Sequence, residues 1–241
     1  MDLVRHPVRA VSEHPEDPAD RDRWPATLAP VRQVLDEGLA LSPATVFVGD
    51  NGVGKSTLIE AIAMAFGLGA EGGSPSTRRA TRPTESDLWR HLRLARSAGS
   101  ARYGYFLRAE TMHGLYTFLE QNPRTSGPAE PRFHEESHGE SFLSLVQDRF
   151  RNEGLWVLDE PESALSFTGC MALLGHLREL LAGGRSQVIM STHSPLLAAL
   201  PGATIYEVGE WGIRESEWDD LDLVHAWRSF LDLPERFLRH L

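Results

Sequence analysis

A glycine-rich loop between a strand pattern and a helix pattern constrains the fold of this 241-residue chain more than any other feature. The apolar run ATVFV at 44–48 has the composition of a buried strand, and GDNGVG at 49–54 follows it directly. KSTLIEAIAMAF at 55–66 has helical character and ends before glycines that favour a helix C-terminus. The junction matches G-x-x-x-x-G-K-[ST], a loop that binds nucleotide phosphates, in the strand–loop–helix context that the loop requires. We therefore predict an α/β fold with a nucleotide site at this junction.

The lysine of this loop is the only lysine in the chain, because 23 of the 24 Lys and Arg residues are arginine. A lysine carries a compact charge on a flexible stem, whereas the planar arginine fork is too wide for a tight phosphate loop. We therefore predict that Lys55 contacts the β- and γ-phosphates of ATP, that Ser56 holds Mg²⁺ and that Thr57 anchors the α-phosphate. The predicted nucleotide-binding residues are Gly49, Asp50, Asn51, Gly52, Val53, Gly54, Lys55, Ser56 and Thr57.

Two further strand patterns end in residues suited to phosphate chemistry. LWVL at 155–158 is followed by Asp159, predicted to hold Mg²⁺, and by Glu160, predicted to act as general base toward the attacking water. A solvated turn is the alternative for this pair. The strand pattern QVIMS is followed closely by His193, a predicted hydrogen-bonding sensor of the γ-phosphate, for which a purely structural role is the alternative. Because parallel strands bind ligands at their carboxyl ends, we expect these residues beside the loop.

The segment HEESHGESF at 134–142 completes a set of four motifs. With GDNGVGKS, LDEPESALS and STHSP, it resembles the ATP-binding-cassette (ABC) ATPase superfamily, most closely small single-domain ATPases of the branch related to structural-maintenance-of-chromosomes and recombination ATPases. The residues that correspond to the family's C-motif, usually Leu-Ser-Gly-Gly-Gln/Glu, are Ser137, His138, Gly139 and Glu140. Glu136 replaces the aliphatic residue, and His138 replaces the first glycine. The residues that correspond to the family's D-loop are Ser163, Ala164 and Leu165.

The resemblance implies a P-loop fold of the ABC type, with a mostly parallel sheet wrapped by helices, an N-terminal β edge and a helical insertion before the C-motif. It also implies an ATP-dependent homodimer, in which the C-motif of one chain caps the γ-phosphate of ATP bound to the other. The C-motif is in addition a typical helix start, in which Ser137 is the N-cap and Glu140 completes a capping box. The two roles are compatible.

The function implied by the resemblance is an ATP-gated dimer switch in DNA repair or defence, with slow ATP hydrolysis and an unknown protein partner. The interval between the P-loop helix and the C-motif is about 70 residues and has no heptad pattern, unlike the coiled coils of the chromosome-maintenance relatives. Three alternatives use the same loop: a nucleotide-binding subunit of a membrane transporter, a P-loop small-molecule kinase, and a module that binds ATP without turnover.

Two family positions have less direct matches. Arg108-Ala109-Glu110 stands about where the family carries a glutamine-bearing loop, so Glu110 is a candidate contact for Mg²⁺ or the attacking water. Trp24 lies 25 residues before Gly49 and is a candidate for stacking on adenine, although a core or surface tryptophan is the more common case.

The length allows one large α/β domain or two small ones, and the resemblance, which covers nearly the whole chain, implies one domain over 1–241. Its parts are an N-terminal edge with the P-loop at 1–70, a helical insertion with mobile loops at 71–140, and the later motifs with a hairpin and helices at 141–241. Within them we predict an edge strand near 3–11, a helix over ESDLWRHLRLARS at 85–97, and a hairpin over 203–217.

Composition excludes several classes of protein. No apolar run approaches the ~18 residues that cross a bilayer and no signal-peptide pattern begins the chain, so we expect a cytoplasmic protein. The single cysteine, Cys170, excludes an internal disulfide framework and is expected to be a buried thiol on a helix. Net charge is −10, yet residues 78–108 are basic, so nucleic acid is a candidate partner, with a solvated helix face as the alternative. The arginines singled out for that contact are Arg78, Arg79 and Arg82.

Overall fold

The computed structural model describes residues 6–74, 86–122, 133, 137–151 and 153–239. Its strands are β1 (Val8–Glu13), β2 (Leu39–Ala40), β3 (Ala44–Val48), β4 (Leu92–Arg96), β5 (Gly104–Arg108), β6 (Leu155–Asp159), β7 (Gln187–Thr192), β8 (Thr204–Gly209) and β9 (Gly212–Ser216). Six of them form the main sheet, in the order β5-β6-β7-β3-β8-β9. All pairs in this sheet are parallel except β8 with β9, which confirms the predicted mostly parallel α/β architecture.

Helices cover the two faces of the main sheet. They are α1 (Ala29–Glu37), α2 (Lys55–Phe66), α3 (Met112–Gln121), α4 (His138–Arg149), α5 (Phe167–Ala182), α6 (Pro195–Ala198), α7 (Asp222–Asp232) and α8 (Glu235–Leu238). In β6, Trp156 and Leu158 belong to the apolar cluster formed with α3, α4 and α5. Leu155 and Val157 belong to a second cluster, formed with α1 and α2. Burial of alternate residues on opposite faces is why this strand is continuously apolar.

The N-terminal strand is not an edge strand. A smaller antiparallel sheet has the order β2-β1-β4, so that β1 is paired along both of its edges. Pro7 lies just before β1, where it removes no ladder hydrogen bond. The predicted N-terminal β structure therefore exists, but its first strand is central in its own sheet.

The helix predicted at 85–97 is wrong. A short 3-10 turn over Asp87–His91 leads into strand β4, which pairs with β1 from Leu92 opposite Glu13 to Arg96 opposite Val8. Leu88 and Leu92 have helical spacing, but Leu92 and Leu94 alternate with arginine as strand residues do. Pairing with β1, a contact distant in sequence, selects the strand.

Most other predicted elements are confirmed. Helix α2 extends from Lys55 to Phe66 and is followed by Gly67 in the left-handed conformation, and the predicted hairpin is β8 with β9. Cys170 is buried on α5. The interval predicted as a helical insertion contains α3 but also β4 and β5. Among the described helices, none is long and apolar enough to cross a membrane.

Candidate functional site

The strand order brings three predicted motifs to one edge of the main sheet. β3 lies between β7 and β8, and β7 lies between β3 and β6. The register pairs Val48 with Thr192 and Asp159 with Ser191, so β3, β6 and β7 end at the same level. The loop after β3, the acids at the end of β6 and the histidine after β7 are therefore neighbours, as the sequence predicts.

The glycines of the P-loop are required by its close contacts and its backbone conformation. A Cβ at Gly49 would stand 2.1 Å from the carbonyl oxygen of Val208 on the neighbouring strand β8. Gly52 and Gly54 have φ of +80° and +104°, in the region where side chains are strained. Gly54 directly precedes the N-terminus of α2, where free N–H groups and the helix dipole favour an anion. The loop is therefore suited to phosphate.

Lys55 is buried in this site, with only 3% of its surface exposed. Its Nζ donates to the backbone oxygen of Asp50 at 2.8 Å and lies 3.1 Å from Nε2 of His193. Burial lowers the pKa of Lys55 below its ordinary value, and the negative charges of Glu160 and Asp159 oppose that shift. A buried ammonium group of this kind is stabilised by an anionic ligand that lies against it.

His193 connects Lys55 to the predicted base. Its Nε2 is 3.1 Å from Oε1 of Glu160 as well as 3.1 Å from Nζ of Lys55. Glu160 has φ 49° and is the only non-glycine residue with positive φ in the described part of the chain. The backbone N–H of Glu160 donates to the carbonyl of Ser191 at 3.2 Å, which supports this unusual conformation. Strained backbone maintained by its surroundings is typical of functional sites.

Asp159 is buried and Glu160 is half-buried, so the solvated turn is excluded for Asp159. Its Oδ1 accepts from the hydroxyl of Ser191, and its Oδ2 accepts from Nε of Arg108 at 3.1 Å. Arg108 also donates from Nη1 to Oε2 of Glu60 at 2.6 Å. Burial alone would lower the pKa of Arg108, but the charges of Asp159 and Glu60 raise it above its ordinary value.

The sequence interpretation missed four residues of this site: Glu60, Arg108, Glu162 and Ser191. Glu162 accepts a hydrogen bond at Oε1 from the backbone N–H of His193. Arg108 stands at the carboxyl end of β5, beside Asp159 in the strand register, and that position was its available signal. That position indicates a contact with Asp159 only if β5 is known to lie beside β6.

The oxygen donors at this edge fit Mg²⁺. The hydroxyl of Ser56 and the carboxylate of Asp159 are hard ligands of the type that this ion prefers, and nucleotide phosphates complete such sites. Within the described residues, no group of three or more His, Cys, Asp or Glu could hold a metal without such help. Two protein donors would leave most positions around Mg²⁺ to phosphate oxygens and water.

The C-motif begins α4, as predicted for a helix start. Ser137 and Glu140 form a capping box: Glu140 N–H donates to the Ser137 hydroxyl at 3.4 Å, and Ser137 N–H donates to Glu140 Oε2 at 3.0 Å. Hydrogen bonds from the Ser137 hydroxyl and backbone lower the pKa of Glu140. The rings of His138 and His113 are 5.1 Å apart.

The C-motif packs on the D-loop of its own chain. A Cβ at Gly139 would meet the carbonyl oxygen of Ala164 at 3.2 Å. Ser163 and Ala164 lie in the 3-10 turn Pro161–Ala164, and Leu165 follows it. Ser137, His138 and Glu140 are exposed, and in the described part of the chain none of their hydrogen bonds reaches the P-loop.

Two weaker candidates have different surroundings. Glu110 is exposed on a 3-10 turn, and the neighbouring Arg108, not Glu110, contacts Asp159. Trp24 is 58% exposed and lines a cavity of about 280 Å³ together with Thr57, so it is a surface tryptophan near the predicted α-phosphate ligand. Arg78, Arg79 and Arg82 lie outside the described residues.

Comparisons with known proteins agree with this architecture. A family model described as an AAA domain matches residues 34–95, which include the P-loop. A structure described as a metal-chelate type ABC transporter in an inward-facing conformation is 16% identical over 95% of this chain and 90% of its own, with a TM-score of 0.52. The SMC head domain from Thermotoga maritima is 17% identical over 75% of this chain and 93% of its own, with a TM-score of 0.42.

A bacterial Atm1-family ABC exporter with ATP bound is 15% identical over 95% of this chain and 43% of its own, with a TM-score of 0.48. No curated protein sequence matches the chain. At these identities the likeness concerns the fold, which joins a P-loop to a mostly parallel sheet. The chain therefore has the fold of an ABC-class P-loop ATPase.

Proposed function

We propose that this chain binds ATP with Mg²⁺ and hydrolyses it. The observation that carries the proposal is the series of contacts from Lys55 through His193 to Glu160, beside the buried Asp159. It joins a phosphate-binding cation, a group that can exchange a proton and a carboxylate base within hydrogen-bond distance. A phosphate-binding lysine and a residue that positions or deprotonates the attacking water are parts that such hydrolysis uses.

Each residue has a distinct role in the proposed reaction. Lys55 and the N–H groups at the start of α2 bind the phosphates, so that the γ-phosphate lies toward His193. Glu160 accepts a proton from the attacking water, and His193 holds the Glu160 carboxylate and the terminal phosphate in line. Mg²⁺, held by Ser56 and Asp159, supplies positive charge to the phosphate oxygens.

We further propose that ATP joins two copies head to tail, with the C-motif of one chain on the P-loop of the other. The exposed Ser137, His138 and Glu140 support this role, because the hydrogen bonds between Ser137 and Glu140 are local and, within the described residues, leave the N-terminus of α4 at the surface. Each site is then incomplete in a monomer, so hydrolysis is slow without the second chain. The proposed cellular role is that of an ATP-gated switch in DNA repair or defence with a protein partner, and it rests on the resemblance of the four motifs.

The experiment for hydrolysis is phosphate release by the wild type and by E160Q. The amide keeps the shape of Glu160 but cannot accept the proton, so we expect at least a ~100-fold lower rate with ATP still bound. E153Q is the matched control, since Glu153 precedes β6 at the end of the strand opposite Asp159 and pairs with the exposed Arg185, so its rate should stay within about threefold of the wild type. An equal rate in E160Q would contradict the proposal, and a phosphorylated small molecule as product would support a kinase instead.

A transporter nucleotide-binding subunit is the second candidate function. The observation that favours it is the structural likeness to the metal-chelate type ABC transporter over nearly the whole chain. Co-purification with a membrane protein from the native host would support this candidate. Loss of salt-dependent nucleic-acid binding on removal of Arg78, Arg79 and Arg82 would instead support the nucleic-acid partner.

A further inference from the structure

Arg108 connects the two elements that carry the proposed metal ligands. Its guanidinium binds Asp159, the last residue of β6, and Glu60, which is on α2. Glu60 is four residues after Ser56, so the two side chains lie on the same face of the helix. One side chain therefore links the helix of the metal-binding hydroxyl to the strand of the metal-binding carboxylate.

The two carboxylates that Arg108 links are buried, whereas the guanidinium is partly exposed. Glu60 is 8% exposed and Asp159 is 3% exposed. The second oxygen of Asp159 accepts from Ser191 on β7, so each oxygen of this carboxylate has a protein donor. Charge-assisted hydrogen bonds from two different strands restrict a carboxylate to one orientation. A metal site depends on such restriction, because outer partners orient the ligands.

The contacts also argue against a role for Arg108 as a cation that must leave before a metal binds. A carboxylate has about four lone-pair sites, and Ser191 and Arg108 occupy two of them. The remaining lone pairs can accept from metal-bound water. If Arg108 moved away, the buried Glu60 would lose a charged partner, which is costly. Arg108 can therefore stay in place while the site is loaded.

We propose that Arg108 is a positioning residue for Mg²⁺: by bridging Glu60 and Asp159 it sets the separation of Ser56 and Asp159 and thereby the affinity of the metal–nucleotide site. The inference rests on the proposed function, because it concerns the metal that accompanies ATP. It adds a residue of β5 to the determinants of that site. The predicted metal contact in this region, Glu110, lies in the turn after β5.

An electrostatic role and a positioning role of Arg108 predict opposite changes in Mg²⁺ affinity when the guanidinium is removed. If Arg108 acted only as a nearby positive charge, its loss would tighten the binding of a cation. If it positions Asp159, its loss weakens Mg²⁺ binding, since disturbed outer partners typically cost about 10–100-fold in metal affinity. The sign of the change therefore decides between the two roles.

The experiment is titration calorimetry of ATP binding, once with excess Mg²⁺ and once with EDTA. The Kd in EDTA divided by the Kd in Mg²⁺ gives the gain in ATP affinity due to the metal. R108M is the test variant. R21M is the matched control, because Arg21 also bridges two carboxylates, those of Glu13 and Asp36. We expect the ratio to fall about tenfold in R108M, with the Kd in EDTA within about twofold of the wild type, and to be unchanged in R21M.

A second variant guards against failure to fold. E60Q/R108M removes the bridge and one of the two buried carboxylates, so less uncompensated charge remains, and the same fall in the ratio is expected. A ratio equal to or above that of the wild type in either folded variant overturns the inference while the proposed function stands. A wild-type ratio of one overturns the proposed metal site, and the inference fails with it.

Discussion

The P-loop edge of the sheet and the C-motif differ in how far one chain completes them. At the P-loop edge, Lys55 and Asp159 are buried, and their polar atoms contact groups on other elements. At the C-motif, Ser137 and Glu140 are exposed and bind chiefly each other. The first region is organised by long-range packing and the second by one local cap. In the proposed function, the first region binds ATP within one chain, whereas the second acts on ATP that is bound to another chain.

The strongest test of this comparison is to remove the cation of the complete region. K55A should lower ATP affinity at least ~100-fold, because it deletes charge-assisted hydrogen bonds to phosphate. K55R should fail similarly, since the planar fork does not fit the loop. Titration calorimetry measures the affinity, and circular dichroism checks that the variants remain folded. Near-normal affinity in K55A would mean that the P-loop assignment is wrong.

The matching test for the C-motif concerns assembly and leaves ATP binding intact. In an E160Q background, S137R should prevent ATP-dependent dimers, because a bulky charged side chain would occupy the interface, while ATP affinity changes less than about threefold. S137A is the control for loss of the helix cap, which costs about 1 kcal/mol of stability, and it should still dimerise. Dimers of S137R at the level of E160Q would place the C-motif outside the interface.

A third pair of substitutions compares the packing of the two regions. G49A should destabilise the fold by more than about 2 kcal/mol, because its Cβ would meet the Val208 carbonyl oxygen at 2.1 Å. G139A should change stability by less than about 1 kcal/mol, since the Ala164 carbonyl oxygen is 3.2 Å away and alanine is the better helix residue. Chemical denaturation measures both. Equal losses would show that the C-motif is packed as tightly as the P-loop.

The smallest expected effect is the pH dependence of the cap at α4. Hydrogen bonds from Ser137 lower the pKa of Glu140 below its ordinary value. Ionised Glu140 therefore stabilises the folded chain above that ordinary pKa, and this stabilisation is lost as pH falls through the lower folded pKa. The Tm difference between wild type and E140Q should therefore narrow on acidification through this range. A difference that is constant with pH would show that the carboxylate charge does not contribute.

The parts of the fold that the sequence predicts are those with local signals. The P-loop, the strand before Asp159 and the cap at Ser137 depend on neighbours within a few residues, and the structure contains all three. The segment at 85–97 was mispredicted as a helix because its leucines suit either period, and the choice depends on β1, about 80 residues away. The secondary-structure propensities of residues 85–97 carry no information about that contact.

The candidate site follows the same division. Lys55, Glu160 and His193 were predicted because each follows a strand in a motif of its own, and the strand order brings them together. Arg108 and Glu60 have no such motif. The contacts of Arg108 with Glu60 and Asp159 depend on β5 lying next to β6. No sequence pattern within either strand predicts that neighbourhood. Partners from adjacent elements are therefore the part of a site that sequence patterns miss.

The most direct test of the account is the mass of E160Q measured by light scattering after gel filtration, with and without Mg²⁺ and ATP. ATP should bind without hydrolysis, and because it contacts both chains it should stabilise the pair by mass action. The account predicts a monomer of 26.8 kDa without ATP and a species of twice that mass at saturating ATP. An E160Q protein that remains a monomer at saturating ATP would contradict the proposed closure of two chains around the nucleotide.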